Sequence, residues 1–130
     1  MNTSVSFELA KLLKEKGYDE PCALLYDENG KISGTKMSMA GHPNIYINKY
    51  SAPIIAEVLM WFYEKHGIWV KVDVASKDFW HPSILNIEDG NFLVHPSFVS
   101  QNFIEKNERM FKTPTEAYES TILYTLNNLI

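Results

Sequence analysis

The sequence predicts an α+β fold in one domain spanning residues 1–130, a mostly antiparallel sheet of hairpins with about three helices packed on it. Three observations predict it. Apolar residues recur at three- and four-residue spacing in three stretches, near residues 6–16, 52–66 and 113–130. The run Ile68–Val74 alternates apolar and polar residues, the period of a half-buried strand. Two steps, Asn29-Gly30 and Asp89-Gly90, each separate short apolar runs, as hairpin turns do. At 130 residues the chain buries roughly two-thirds of its unfolded surface, enough for a core without staples. That matters because the one cysteine, Cys22, has no internal disulfide partner.

The first helix runs from Ser6 to Lys16. Phe7, Leu9, Ala10, Leu12 and Leu13 form its apolar stripe, and Lys11, Lys14, Glu15 and Lys16 lie off it. Ser4 or Ser6 caps its start. Gly17 suits the left-handed position after the last turn, which folds Tyr18 back on the stripe. Residues Cys22 to Ser33 read as a hairpin around Asp27-Glu28-Asn29-Gly30, because Asn and Gly tolerate positive φ. Gly34 to Pro43 reads as a loop, and Ile45-Tyr46-Ile47 has the residue types of a short strand.

The second helix is expected over Ala52 to His66, with Ser51 as cap and Pro53 near its first position. Ile54, Ile55, Val58, Leu59, Trp61, Phe62 and Tyr63 wrap much of its circumference, so it is buried on more than one side. Gly67 ends it. In the strand that follows, Ile68, Val70, Val72 and Val74 point one way, and Trp69, Lys71 and Asp73 the other. Asp78 to Pro82 is read as a loop. Ser83–Glu88, Asp89-Gly90 and Asn91–Val94 make a second hairpin, and the three strand groups share one sheet. Ser97 to Arg109 fits a strand end followed by a short helix from about Gln101. The last helix opens with Thr113 as cap, Pro114 at its first position and Glu116 completing a capping box. Tyr118, Ile122, Leu126 and Leu129 carry its stripe, with Leu123 and Ile130 beside it.

Charge narrows the function classes. Twelve Lys and Arg against sixteen Asp and Glu leave a net charge of −4, and the densest basic run, Lys11–Lys16, contains Glu15. Nucleic-acid binding needs cations to displace phosphate counterions, so no nucleic-acid partner is expected. No apolar run approaches the roughly 18 residues of a membrane span, and residues 1–8 lack a signal peptide's basic and apolar regions. With a free thiol, this points to the cytoplasm and away from membranes.

Candidate chemistry is sparse. His42-Pro43, His81-Pro82 and His95-Pro96 are three His-Pro steps among four histidines. A metal reading gathers His42, His81 and His95 as three-histidine zinc sites do, but their spacing matches no ligand motif. The plain reading is that each proline holds its predecessor extended at a strand end. Cys22 opens an apolar run and lacks a glycine-framed nucleophile motif, so it reads as a small buried hydrophobe. Asp27, Glu28, Glu88 and Asp89 sit at turn tips, where solvent keeps carboxylates from useful pKa shifts. No phosphate-cradling glycine motif is present. No catalytic residue, cofactor or metal site is therefore assigned.

Aromatic residues make up 13% of the chain, a surplus beyond what a core needs. Asp78-Phe79-Trp80-His81-Pro82 falls where a loop is expected, and Trp69 lies on the polar side of its strand. Trp69, Phe79, Trp80 and His81 are thus the candidate recognition surface. The plain alternative is that these rings cover the sheet's second face.

Three stretches also carry a resemblance. They are Ala10-Lys11-Leu12-Leu13-Lys14-Glu15-Lys16-Gly17-Tyr18-Asp19-Glu20-Pro21-Cys22, Tyr50-Ser51-Ala52-Pro53 and Trp61-Phe62-Tyr63-Glu64-Lys65-His66-Gly67-Ile68. Together they resemble a group of small uncharacterised proteins carried by phages and mobile elements of Bacteroides-type gut bacteria. The resemblance covers the first half and, more loosely, the capped last helix, while Asp78 to Phe111 departs from it. It implies a cytoplasmic accessory protein that binds something in the host, and it carries no residue roles.

The expectation is a non-catalytic interaction protein whose partner is a protein, either from the host or a second copy in a homodimer. The alternative is a small enzyme or a small-molecule or metal-binding protein using His42, His81 and His95. A concave pocket lined by histidines and carboxylates favours the alternative. A flat aromatic patch, or a symmetric dimer through Trp61 and Phe62, favours the first.

Overall fold

A computed structural model describes residues 3–35, 43–77, 79–94 and 111–130. The chain is α+β, and every strand pairing among the described residues is antiparallel. It divides into two compact units, Met1–Val58 and Leu59–Ile130.

In the first unit, helix α1 (Phe7–Glu15) begins at Ser6, whose hydroxyl accepts from the Leu9 amide at 3.3 Å. It ends as expected. Gly17 adopts φ +89°, its N–H donates to the Lys14 carbonyl, and the Tyr18 N–H donates to that of Leu13. This is a Schellman closure, and it leaves Tyr18 buried. Strands β1 (Leu24–Tyr26) and β2 (Ile32–Gly34) form the first hairpin. Asp27 Oδ1 accepts from the Asn29 and Lys31 amides, and Gly30 supplies φ +81°.

The strand expected at Ile45-Tyr46-Ile47 is absent. Pro43–Ile45 is a 3₁₀ turn, and Ile47 is 86% exposed. β-branched residues favour a strand only where a neighbour pairs with them. Here the carbonyls of Tyr46, Ile47 and Lys49 instead accept from Lys14 Nζ. The strand forms three residues further on, as β3 (Tyr50–Ser51), which pairs with β1 and packs against α1. Asn44 Oδ1 accepts from the Ser51 amide at 2.7 Å, and Asn44 Nδ2 donates to the Tyr18 carbonyl at 2.9 Å. The sheet order is β2-β1-β3.

Helix α2 (Ile55–His66) starts three residues later than the sequence predicts, and the boundary between the units falls within it. Ser51 is taken up by β3, so it cannot cap. Pro53 and Ile54 are held extended instead, with Val5 N–H donating to the Pro53 carbonyl and Ser4 bridging Ile54. Glu57 Oε1 accepts from the Ile54 amide at 3.0 Å and caps the helix from inside. Ile55, Val58, Leu59, Trp61 and Phe62 are buried, as their wide apolar arc requires.

The second unit holds a separate sheet of order β4-β5-β6, so the strands form two three-stranded sheets where one was expected. β4 (Ile68–Ser76) pairs with β5 (Phe79–Asn86), and β5 pairs with β6 (Phe92–Val94). The Asp89-Gly90 turn forms as read, with Gly90 at φ +71°. Helix α3 (Pro114–Asn128) packs on β4 and β5. Its cap is Thr113, whose Oγ1 accepts from the Glu116 amide at 3.1 Å. Glu116 reaches back to the Lys112 amide, one residue beyond a reciprocal capping box. The buried line of α3 is Ala117, Thr121, Ile122, Thr125 and Leu126, rotated from the expected stripe, and Leu123 is exposed. The two threonines fit because each hydroxyl donates to a carbonyl one turn back, Thr121 to Ala117 and Thr125 to Thr121.

Of the loop read from Gly34 to Pro43, Gly34 ends β2 and Pro43 opens the 3₁₀ turn, while residues 36–42 and the segment at 97–109 lie outside the described residues.

Candidate recognition surface

The second sheet positions all four residues singled out from the sequence. Asp73 pairs with His81, Val74 with Trp80, and Ser76 with Phe79. The stretch Phe79–Pro82 is therefore strand, not loop. Proline is the reason the sequence misleads here. Pro82 normally argues against a strand interior because it lacks a ladder donor. The Trp80 N–H, however, donates to the Phe111 carbonyl at 2.8 Å, on the side of β5 away from β4. Alternation puts the Pro82 nitrogen on that same outward side, so the β4 ladder loses nothing.

Alternation and register sort the side chains into two rows. Ile68, Val70, Val72 and Val74 share one face with Trp80, Pro82 and Ile84. This is the α3 face: Trp80 and Val72 pack against buried Phe111 and Ala117. Val74, beside a bulge, is exposed against expectation. The other row holds Trp69, Lys71 and Asp73 with Phe79, His81, Ser83 and Leu85. Trp80 therefore leaves the candidate surface, while Trp69, Phe79 and His81 share a face. Its exposed rings lie at the two ends, with exposed Lys71 and half-buried Asp73 between them. Trp69 is 38% and Phe79 49% exposed, His81 and Leu85 are half-buried, and Ser83 is buried. Trp69 and Phe79 are six residues apart along the strands, about 20 Å, and so form two patches.

The Trp69 end gathers more apolar surface. Tyr63 stands edge-on to the Trp69 indole at 5.9 Å with both rings exposed. Met60, one turn before Tyr63 on α2, is exposed too. Leu85 links Trp69 on one side to Phe92 of β6 on the other, and Phe92 and Ile87 are exposed. Tyr63, Phe92 and Ile87 were not singled out from the sequence. Tyr63 follows Trp61 and Phe62 in a run that reads as buried on more than one side, and the helix geometry turns it outward. Midway along the face, Lys71 Nζ lies 3.3 Å from Asp73 Oδ2.

Other candidates resolve differently. Cys22 is buried, and burial raises its thiol pKa, which opposes a reactive thiolate. Asp27 and Asp89 accept from backbone amides within their own turns. His42 and His95 lie outside the described residues, so their convergence with His81 does too. Among the described residues, no group of three His, Cys, Asp or Glu side chains is placed to hold a metal. His66 stands edge-on to buried Trp61 at 4.8 Å, and burial lowers its pKa. Trp61 and Phe62 are themselves buried, which removes the symmetric dimer drawn through them. Among the described residues, no helix is long and apolar enough to cross a membrane.

No protein-family model, curated protein or solved structure matches the chain.

Proposed function

We propose that this protein is a non-catalytic interaction module, an accessory factor of a phage or mobile element, that docks a host protein on the Trp69 end of its second sheet. The observation that carries this reading is the Tyr63–Trp69 pair, two large rings stacked edge-on yet both well exposed. A fold with enough buried aromatics elsewhere gains little from leaving an indole in water, whereas Trp and Tyr are the residues that most often anchor interfaces. Neighbouring Phe92 and Ile87 extend the apolar surface, and Lys71 with Asp73 supplies a charged rim, the usual anatomy of a protein contact. The sequence resemblance to phage and mobile-element proteins supports a host protein as the partner, and the acidic balance argues against nucleic acid.

The test is affinity capture from Bacteroides-type lysate with the tagged chain, in parallel with Trp69→Ala and Trp80→Ala. Far-UV circular dichroism checks that each variant is folded. A partner retained by the native chain, lost with Trp69→Ala and kept by folded Trp80→Ala supports the proposal. Equal recovery by native chain and Trp69→Ala, or no partner at all, overturns it.

A further inference from the structure

Among the described residues, the sheet carrying this surface has an unpaired edge along β4, the strand that also carries Trp69. β4 pairs with β5 on one side only, and among the described residues no strand pairs with its other side. A long strand edge of this kind is a template for another strand. Which backbone groups face outward follows from the hydrogen bonds. The Ile87 N–H donates to the Gly67 carbonyl, and Trp80 exchanges both its bonds with Phe111. Odd-numbered residues of β4 therefore bond β5, and the N–H and C=O groups of Val70, Val72 and Val74 point to the open side.

The sequence on this edge is Val70-Lys71-Val72-Asp73-Val74, symmetric about Val72 except that its two charges are opposite. We infer that the occupant of the edge is a second copy of the same strand, paired antiparallel about Val72. In that register Val72 faces Val72 of the other copy, and Val70 faces Val74. All of these residues have outward backbone groups, so each pair exchanges both hydrogen bonds. Lys71 then faces Asp73 in the intervening positions, where side chains lie closest, twice by symmetry. A shift by two residues in one direction sets Lys71 against Lys71, and in the other Asp73 against Asp73. Charge therefore favours the register about Val72 over both of its neighbours. Both side chains are available, since Lys71 is 56% and Asp73 47% exposed. The two copies' sheets merge into one of six strands, with Trp69 next to Val70 at the end of the junction.

Sedimentation and light scattering up to about 100 μM test this, since they detect any association tighter than that. The native chain is expected at twice its 15.0 kDa mass. Lys71→Asp sets like charges together at both positions and weakens dimerisation by about 10- to 100-fold. Lys71→Asp combined with Asp73→Lys exchanges the charges and restores the dimer. Hydrogen exchange at the Val70, Val72 and Val74 amides is slowed in the native chain and the exchanged double variant, and fast in Lys71→Asp. A native monomer throughout, a dimer indifferent to Lys71→Asp, or a double variant that stays monomeric overturns the proposal.

Discussion

The ring of Phe7 fills the space that a side chain at Gly30 would need. A Cβ added at Gly30 would lie 2.8 Å from Phe7 Cδ2, closer than real contacts allow. Phe7 is not free to yield, because it packs against Tyr26 at 5.4 Å and edge-on to Tyr50 at 5.5 Å. Helix α1 thus rests its first residue on the turn of the first hairpin, and only glycine admits it.

The second hairpin supplies a control. Gly90 also has positive φ, +71° against +81° at Gly30, but a Cβ there meets nothing within 4 Å. Gly90→Ala is expected to cost only the left-handed strain, about 1 kcal/mol. Gly30→Ala carries that strain and the clash, about 2–3 kcal/mol. Urea denaturation of both variants measures the difference. Combining Gly30→Ala with Phe7→Leu should recover part of it, and equal losses at the two glycines would show that Phe7 does not confine the turn.

Tyr18 makes the fold sensitive to alkali. Burial, reinforced by Glu57, Cys22, Glu20 and Asp19, holds its phenol pKa well above the ordinary tyrosine range. The unfolded chain releases this proton near pH 10, and the folded chain keeps it. The stabilisation is complete below about pH 10 and is lost above it at about 1.4 kcal/mol per pH unit. Stability measured from about pH 9 to pH 11 should fall with that extra slope, and Tyr18→Phe should remove it. Tyrosinate absorbance gives a second readout, with Tyr18 ionising only on unfolding.

What the sequence made legible was whatever its own neighbours decide. Ser6, Gly17, Thr113 and the Asp27–Gly30 turn satisfy backbone groups within four residues, so their residue types suffice to read them. Two of the misreadings depend on a distant partner. Ile45–Ile47 has strand residues but no strand beside it among the described residues, whereas Phe79–Pro82 has loop-like residues and is held by β4 on one side and, at Trp80, by Phe111 on the other. Thr121 and Thr125 look like solvent residues until their hydroxyls are seen to bond one turn back. In the candidate surface, Trp69 was legible because Ile68–Val74 alternates, and Trp80 was misplaced because its strand was not recognised. Tyr63 was hidden in an apolar run whose outward side only the packed helix defines.

The lone cysteine reports on opening of the first unit. Cys22 is buried, and its thiol is raised in pKa by that burial. A neutral, enclosed thiol reacts only when the structure around it opens. A chromogenic disulfide reagent should therefore label the native chain far more slowly than the urea-unfolded chain. Leu25→Ala, which removes a buried side chain from β1, should cost about 2–4 kcal/mol and speed labelling. Labelling as fast in the native as in the unfolded chain would contradict the enclosed thiol.

Adjacent residues of β5 should respond in opposite ways to proline chemistry. His81 faces Asp73, and its N–H points into the β4 ladder, because Trp80 before it bonds outward to Phe111. Proline at His81 removes a ladder donor and is expected to cost about 3 kcal/mol or more. Pro82 opposes Val72 with its nitrogen on the outward side, in the gap between the Trp80–Phe111 bridge and the Ile84–Val94 pair. Pro82→Val adds an N–H to that outward side, leaves the β4 ladder intact and keeps a buried apolar side chain, so it is expected to cost about 1–2 kcal/mol, less than proline at His81. Thermal denaturation of both variants decides the matter. The same parity assigns the outward amides of β4, so a severe loss with Pro82→Val and a mild one with His81→Pro would reverse the strand and, with it, the edge that Val70, Val72 and Val74 present.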